Sequence, residues 1–272
     1  MSVHNIAKSG FNTANDLYDR ARPSYQANAL SHIRSAVKAA PPLNVVEIGS
    51  GTGLFTSAFI AHPEWKGAFK ELRAVEPSPG MREVFSKKIG DERVSVAEGH
   101  FQDTSIPDAW ADVVVIAQAF HWCPDYDGAC KEFARILKPG GVLALCWNLE
   151  DRATAKWVAQ VRDCIERFEA GSPQYRLGLW RAAFDTTTYK MNFEPPAENS
   201  WEHPLLATKD LVIDRAMSKS YTAILSDEQK TQLRKDLSDI LDRGEERKWI
   251  NEAEGTFEYP YKTDVVISRR GG

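Results

Sequence analysis

Apolar positions in the first two thirds of the chain alternate between two periods. Short runs rich in Val, Ile and Leu at about 44–48, 71–76, 93–97, 112–117 and 141–147 read as strands buried on both faces. Between and around them, stripes at helical spacing predict helices at about 24–39, 53–61, 80–89, 125–137 and 153–169. In the fourth of these, Ala129, Phe133, Ile136 and Leu137 fall on the i, i+4, i+7, i+8 stripe of a core-facing helix. Strand following helix in this way predicts a doubly wound, mostly parallel α/β sheet whose ligands bind at the carboxyl ends of its strands. After Phe168 the alternation gives way to an aromatic, loop-rich stretch, too long for a simple connection, which predicts a cap. Ser226 with Gln229 forms a capping box at the start of a helix whose Leu233, Leu237, Ile240 and Leu241 face inward, and residues 256–259 and 263–267 read as closing strand.

The chemistry concentrates where the first strand ends. Val45-Val46-Glu47-Ile48-Gly49-Ser50-Gly51-Thr52-Gly53 joins an apolar strand to a glycine turn and then to a helix N-terminus, a place where backbone N–H groups face a ligand carboxylate or phosphate. Spacing narrows the ligand. A dinucleotide turn needs GxGxxG, but the third glycine falls one residue early, at Gly53, and Leu54 stands in its place. Glu47 would repel a pyrophosphate and attract an ammonium or sulfonium, which favours S-adenosylmethionine over NAD. Glu76 closes the next strand 23 residues beyond Gly53, the distance of a ribose-binding acid, and Met81 in the following helix is placed either to lie on an adenine face or to fill the core.

Composition sets bounds on this picture. Apolar residues at 43% supply an ordinary globular core for 272 residues, and a net charge of −4 without a basic block argues against nucleic acid as partner. No run approaches the ~18 apolar residues of a membrane helix and the first residues lack a leader pattern, so no membrane partner and a cytoplasmic location are expected. Cys123, Cys130, Cys146 and Cys164 share no metal-like spacing with each other or with His, so no metal is expected. Nothing in the pattern defines an oligomeric state.

Four ordered motifs along residues 11–148 resemble those of class I S-adenosylmethionine-dependent methyltransferases: the glycine turn, the strand ending at Glu76, Glu98-Gly99-His100-Phe101-Gln102-Asp103, and Trp110 to Trp122 followed by Ile136-Leu137-Lys138-Pro139-Gly140-Gly141. The resemblance implies a seven-stranded Rossmann-like sheet with an antiparallel final strand next to the fifth and a sixth near residues 200–206. It also implies a helical lid over residues 1–40, a cofactor core over 41–150 and a cap over 151–272 within one unit. S-adenosylmethionine, released as S-adenosylhomocysteine, would meet Tyr18, Arg22, Glu47, Gly49, Ser50, Gly51, Gly53, Glu76, Pro77, Met81, Phe101, Gln102 and Gln118. Gln102 stands where the family carries an acid-rich segment at the adenine edge, so the adenine amino group has no assigned partner. The segment around Tyr18, Arg22 and Tyr25 is similar to a YxxxRPxYP lead in which Arg22 either grips the methionyl carboxylate or merely marks a helix entrance.

For the acceptor, the expected walls are Phe11, Phe120, His121, Trp122, Trp147 and Trp180, an aromatic pocket with few polar points. His121 is a candidate general base or a loop-shaping hydrogen-bonding group. Absence of an Asn/Asp-Pro-Pro-Tyr motif and of a Pro-Cys nucleophile argues for a small-molecule acceptor. The branch resembled includes trans-aconitate methyltransferases and fungal natural-product enzymes that S-methylate dithiols. An aromatic pocket favours a thiol of secondary metabolism over a carboxylate, which would want several arginines. A small organic acid such as trans-aconitate is the alternative, and a silent protein that only binds S-adenosylmethionine is the other.

Overall fold

In the computed structural model residues 22–272 are described. The alternation seen in the sequence becomes a seven-stranded sheet of order β3-β2-β1-β4-β5-β10-β6, made of β1 (Leu43–Ile48), β2 (Phe69–Val75), β3 (Val94–Ala97), β4 (Ala111–Ala117), β5 (Leu137–Glu150), β6 (Ala197–Glu202) and β10 (Tyr261–Arg269). The first five strands run parallel, and β10 lies antiparallel between β5 and β6. This is the doubly wound α/β architecture expected, with the final strand next to the fifth. β6 begins three residues earlier than expected.

Period two within each strand explains why the sheet is covered on both faces. Val46, Ile48, Val114, Ile116, Leu143, Leu145 and Trp147 enter one apolar cluster, while Val45, Val113, Val115, Ala144 and Cys146 enter another on the opposite face. Around the sheet pack helices α1 (Ala27–Ala36), α2 (Leu54–Ala61), α3 (Pro79–Lys88), α4 (Tyr126–Ile136) and α5 (Lys156–Glu166). Polar caps fix two starts near the ligand edge: Ser78 accepts from the Met81 amide and Asp125 from that of Gly128, at 3.3 and 3.0 Å.

A third apolar cluster lies beyond the sheet. α5 meets α6 (Lys209–Met217), α7 (Asp227–Arg243) and a small antiparallel sheet of β7 (Leu205–Ala207), β8 (Trp249–Asn251) and β9 (Thr256–Tyr259). Trp157, Leu233, Leu237, Leu241 and Phe257 are among its fully buried members. The capping box of Ser226 and Gln229 starts α7 as the sequence indicates. Residues 256–259, read from the sequence as part of the closing strand, are instead the middle strand of this small sheet; β7 and β8 were not anticipated, because strands of three residues are too short to show a period. Among the described residues no helix is long and apolar enough to cross a membrane.

Candidate functional site

Two acids and a glycine turn build the first half of the site. Gly49 and Gly51 adopt φ of 74° and 57°, the left-handed region that a side chain resists. At Gly49 a Cβ would sit 2.6 Å from that of Ala119, so the glycine lets the turn after β1 touch the loop after β4. Glu47, at the end of β1, is 1% exposed and accepts a hydrogen bond from the Thr56 hydroxyl. Burial pushes its carboxyl up to about 8, with the Thr56 bond opposing and nearby Glu76 adding to the rise. Glu76 closes β2 and ties the turns together, its two oxygens accepting from the amides of Gly51 and Ser78 at 2.9 and 2.8 Å. Burial raises its pKa too, against those two bonds and Arg82.

These groups face a crevice of about 1230 Å³, mouth included, at the carboxyl edge of β1, β2 and β4. Arg22, Ser50, Pro77, Met81, Phe101, Gln102, Gln118 and Trp122 also line it. Gln118 holds φ at 56°, stabilised by its amide bonding to the Cys146 carbonyl at 2.8 Å and its side chain donating to that of Asn148 at 2.6 Å. The Gln102 amide donates to the Asp125 carbonyl at 3.2 Å. Gly53, expected among the cofactor contacts, does not line the crevice: a Cβ there would lie 2.9 Å from the Phe85 ring, so its role is close packing of α2 on α3. Tyr18 and Phe11 lie outside the described residues.

A second cavity of about 580 Å³, mouth included, opens from the first and shares Arg22, Gln118 and Trp122 with it. Three expected acceptor walls are absent from it. Phe120, Trp147 and Trp180 are at most 1% exposed; Phe120 packs on Phe133, and Trp147 stands 4.5 Å from both Trp180 and Tyr175, ring centre to ring centre. Large rings here gain more from burial in the sheet's flank than from facing a polar cavity. His121 does line the cavity, but its Nδ1 accepts from the Trp147 indole at 3.2 Å. That bond leaves Nε2 as the hydrogen-bearing nitrogen. Burial, then Arg22 and Lys219, push the His121 pKa down to about 3. The residue is therefore a neutral donor, and the general-base assignment is withdrawn.

What the sequence reading missed is the cavity's charge. Arg22, Arg162, Arg176, Arg215 and Lys219 line it, and behind them Glu150 is almost fully buried. Lys219 Nζ lies 2.7 Å from one Glu150 oxygen and Arg162 Nη1 2.8 Å from the other, with Arg215 Nη2 at 3.7 Å. Burial alone would raise the Glu150 pKa, but these three cations hold it well below the carboxylate range. Lys219 moves down as well, because burial and the neighbouring guanidiniums outweigh Glu150. Arg176 pairs with Glu166 and Glu169. One signal was present: Arg162 follows Val158 and precedes Ile165 on the apolar stripe of α5, and Arg215 follows Val212 on α6, cations where a core helix wants hydrocarbon.

Known proteins agree with this architecture. The methyltransferase-domain family profile matches residues 46–145, the span from β1 to β5. An uncharacterised methyltransferase of Mycobacterium bovis is 30% identical over 211 residues, covering 78% of this chain and 76% of its own. The chain belongs to the methyltransferase family. A methyltransferase-like protein of Schizosaccharomyces pombe is 33% identical over 168 residues, covering 61% of this chain and 62% of its own length. Among solved structures, a phosphoethanolamine N-methyltransferase 2 from Haemonchus contortus, in complex with phosphomonomethylethanolamine and S-adenosylhomocysteine, shares the fold at 12% identity and TM-score 0.55, over 100% of this chain and 61% of that one. A methyltransferase must bring a methyl donor and an acceptor into line and exclude water. Here two joined cavities of opposite character meet at Arg22, Gln118 and Trp122.

Proposed function

We propose that this methyltransferase uses S-adenosylmethionine, held in the acid-lined crevice, to methylate a carboxylate of a small-molecule acid held in the cationic cavity. The residues of the crevice fit the donor. Glu47 offers a charge for its ammonium, Glu76 retains lone pairs for two ribose hydroxyls, and the buried Ser50 hydroxyl has no partner among the described residues. When bound, the donor supplies a sulfonium-activated methyl group whose transfer to a carboxylate oxygen yields a methyl ester and a thioether, with no proton to remove.

The single observation that carries the acceptor class is the ring of Arg162, Arg176, Arg215 and Lys219 around one cavity. Forked guanidiniums match carboxylate geometry, whereas a thiol has a single soft acceptor and little use for them. An acceptor already ionised at neutral pH also removes the need for a base, in keeping with the neutral, donor-only His121. The aromatic reading that favoured a thiol fails because Phe120, Trp147 and Trp180 are core.

The test is incubation with methyl-labelled S-adenosylmethionine and a panel of small carboxylic acids, thiols, phenols and amines, read by mass spectrometry. Labelled methyl esters are expected. Transfer to a thiol with none to any acid would reject the acceptor class, and failure of S-adenosylhomocysteine to bind by calorimetry would reject the donor.

A further inference from the structure

The mouth and the floor of the cationic cavity are furnished differently. Its mouth, where the two cavities share Arg22, Gln118 and Trp122, is where a reacting oxygen must lie to meet the donor methyl. Arg215, Lys219 and Tyr221 line the second cavity and not the first, and Arg215 also borders a third cavity beside Leu211 and Tyr259. Their donors are nevertheless short of acceptors. Arg215 Nη1 and the Tyr221 hydroxyl are buried and have no hydrogen-bond partner among the described residues, on side chains that are each 2% exposed. Glu150 is the carboxylate that Lys219 and Arg215 share, and Arg162 competes for it. The acids that pair with Arg176, Glu166 and Glu169, are taken up there and by Arg162.

Buried donors left open beside an under-neutralised cation cluster call for an anion. A single carboxylate placed at the mouth for methylation would leave them unmet. We infer that the acceptor carries a second, non-reacting anionic group, a carboxylate or phosphate, which sits on Arg215, Lys219 and Tyr221 and so fixes which oxygen meets the methyl donor. This inference rests on the acid-acceptor reading above and narrows it to acids with two anionic ends. Arg215 and Lys219 supply charge, while the Tyr221 hydroxyl supplies a neutral donor whose removal disturbs no hydrogen bond among the described residues.

The experiment compares straight-chain monocarboxylic acids of three to eight carbons with the dicarboxylic and ω-phosphono acids of the same lengths. Binding is measured by calorimetry to enzyme saturated with S-adenosylhomocysteine, and turnover by methyl-ester formation. At the best length, a two-anion acid is expected to bind at least tenfold tighter than its monocarboxylate, and Tyr221→Phe is expected to cut that ratio about fivefold. Lys219→Met should cut it further, with thermal melting checked for each variant. Whichever of the dicarboxylate and ω-phosphono series binds tighter names the group the floor holds. Equal affinity of one-anion and two-anion acids at every length, with esters still formed, overturns the second subsite and leaves the acid reading standing. An unchanged ratio in folded Tyr221→Phe likewise removes that residue and the subsite built on it. If no acid binds or is methylated, both fall together.

Discussion

The two cavities of the cleft solve the same problem, buried charge, in opposite ways. In the crevice at β1 and β2 the charge is acidic and dispersed: Glu76 is stabilised by backbone amides, and Glu47, with one hydroxyl for company, is driven toward its neutral form. In the adjoining cavity the charge is cationic and concentrated, and one carboxylate, Glu150, serves three cations. An acid can shed its charge by taking up a proton, while a guanidinium cannot, so the second compartment needs a fixed counter-ion built into β5. The first compartment is tunable by pH, and the second is anchored.

That contrast can be broken most forcefully at Glu150. Glu150→Ala leaves Arg162, Arg215 and Lys219 facing one another, and about 3–5 kcal/mol of stability should be lost, read from denaturant midpoints. A loss below ~1 kcal/mol would show that the cations find water instead. Next in size, Trp147→Phe keeps a ring in the core but removes the donor to His121, and should cost about 1–3 kcal/mol by the same measurement.

Glu47 sharpens the acidic side. Its folded pKa of about 8 lies above the 4.5 of an exposed carboxyl, so it favours the folded state at low pH and this contribution is lost as pH rises from 4.5 through 8, at about 1.4 kcal/mol per unit. Glu47→Gln should therefore gain stability relative to the parent between pH 5 and 8 in thermal melts, while weakening S-adenosylhomocysteine binding about tenfold or more. In the parent chain, that affinity should climb by up to about tenfold per pH unit below 8 as Glu47 ionises for the ligand ammonium, and level off above, when titrated calorimetrically. A flat profile from 6 to 8 would mean that Glu47 does not meet the ammonium. Smallest is the effect expected at His121. With the pKa near 3, the pH–rate profile should show no limb near 6.5, and His121→Asn should lower kcat less than about tenfold.

The same contrast explains what the chain disclosed before its structure was known. Most residues of the acidic crevice come in short contiguous runs, 47–52, 76–78, 100–102 and 117–119, because a turn at a strand end is a local object. The sheet was legible for a similar reason: each strand's period and each helix's stripe is read within ten residues, although β6 begins earlier, β5 runs on at both ends, and residues 256–259 pair in the small sheet instead of the closing strand. The cationic cavity draws on residues 148–149, 162, 174–176, 215 and 219–221, brought together by the cap's packing, and no local pattern announces such an assembly. Aromatic residues nearby in sequence were mistaken for its walls because Trp147 and Phe120 share strands and loops with true lining residues but are buried one layer behind them, Trp147 against His121 and Tyr175 and Phe120 against Phe133. Arg162 and Arg215, cations on apolar stripes, were the visible clue.

β10 enters the sheet against the direction of its neighbours, so it is its first residue, Tyr261, that lands opposite Glu150. There the Tyr261 hydroxyl donates to Glu150 at 3.1 Å and accepts from Arg215 at 2.8 Å. During synthesis the glycine turn after β1 emerges some two hundred residues before this tyrosine. A nascent chain thus carries the residues of its acidic crevice early, whereas the cationic cavity stays incomplete until the last strand begins to leave the ribosome.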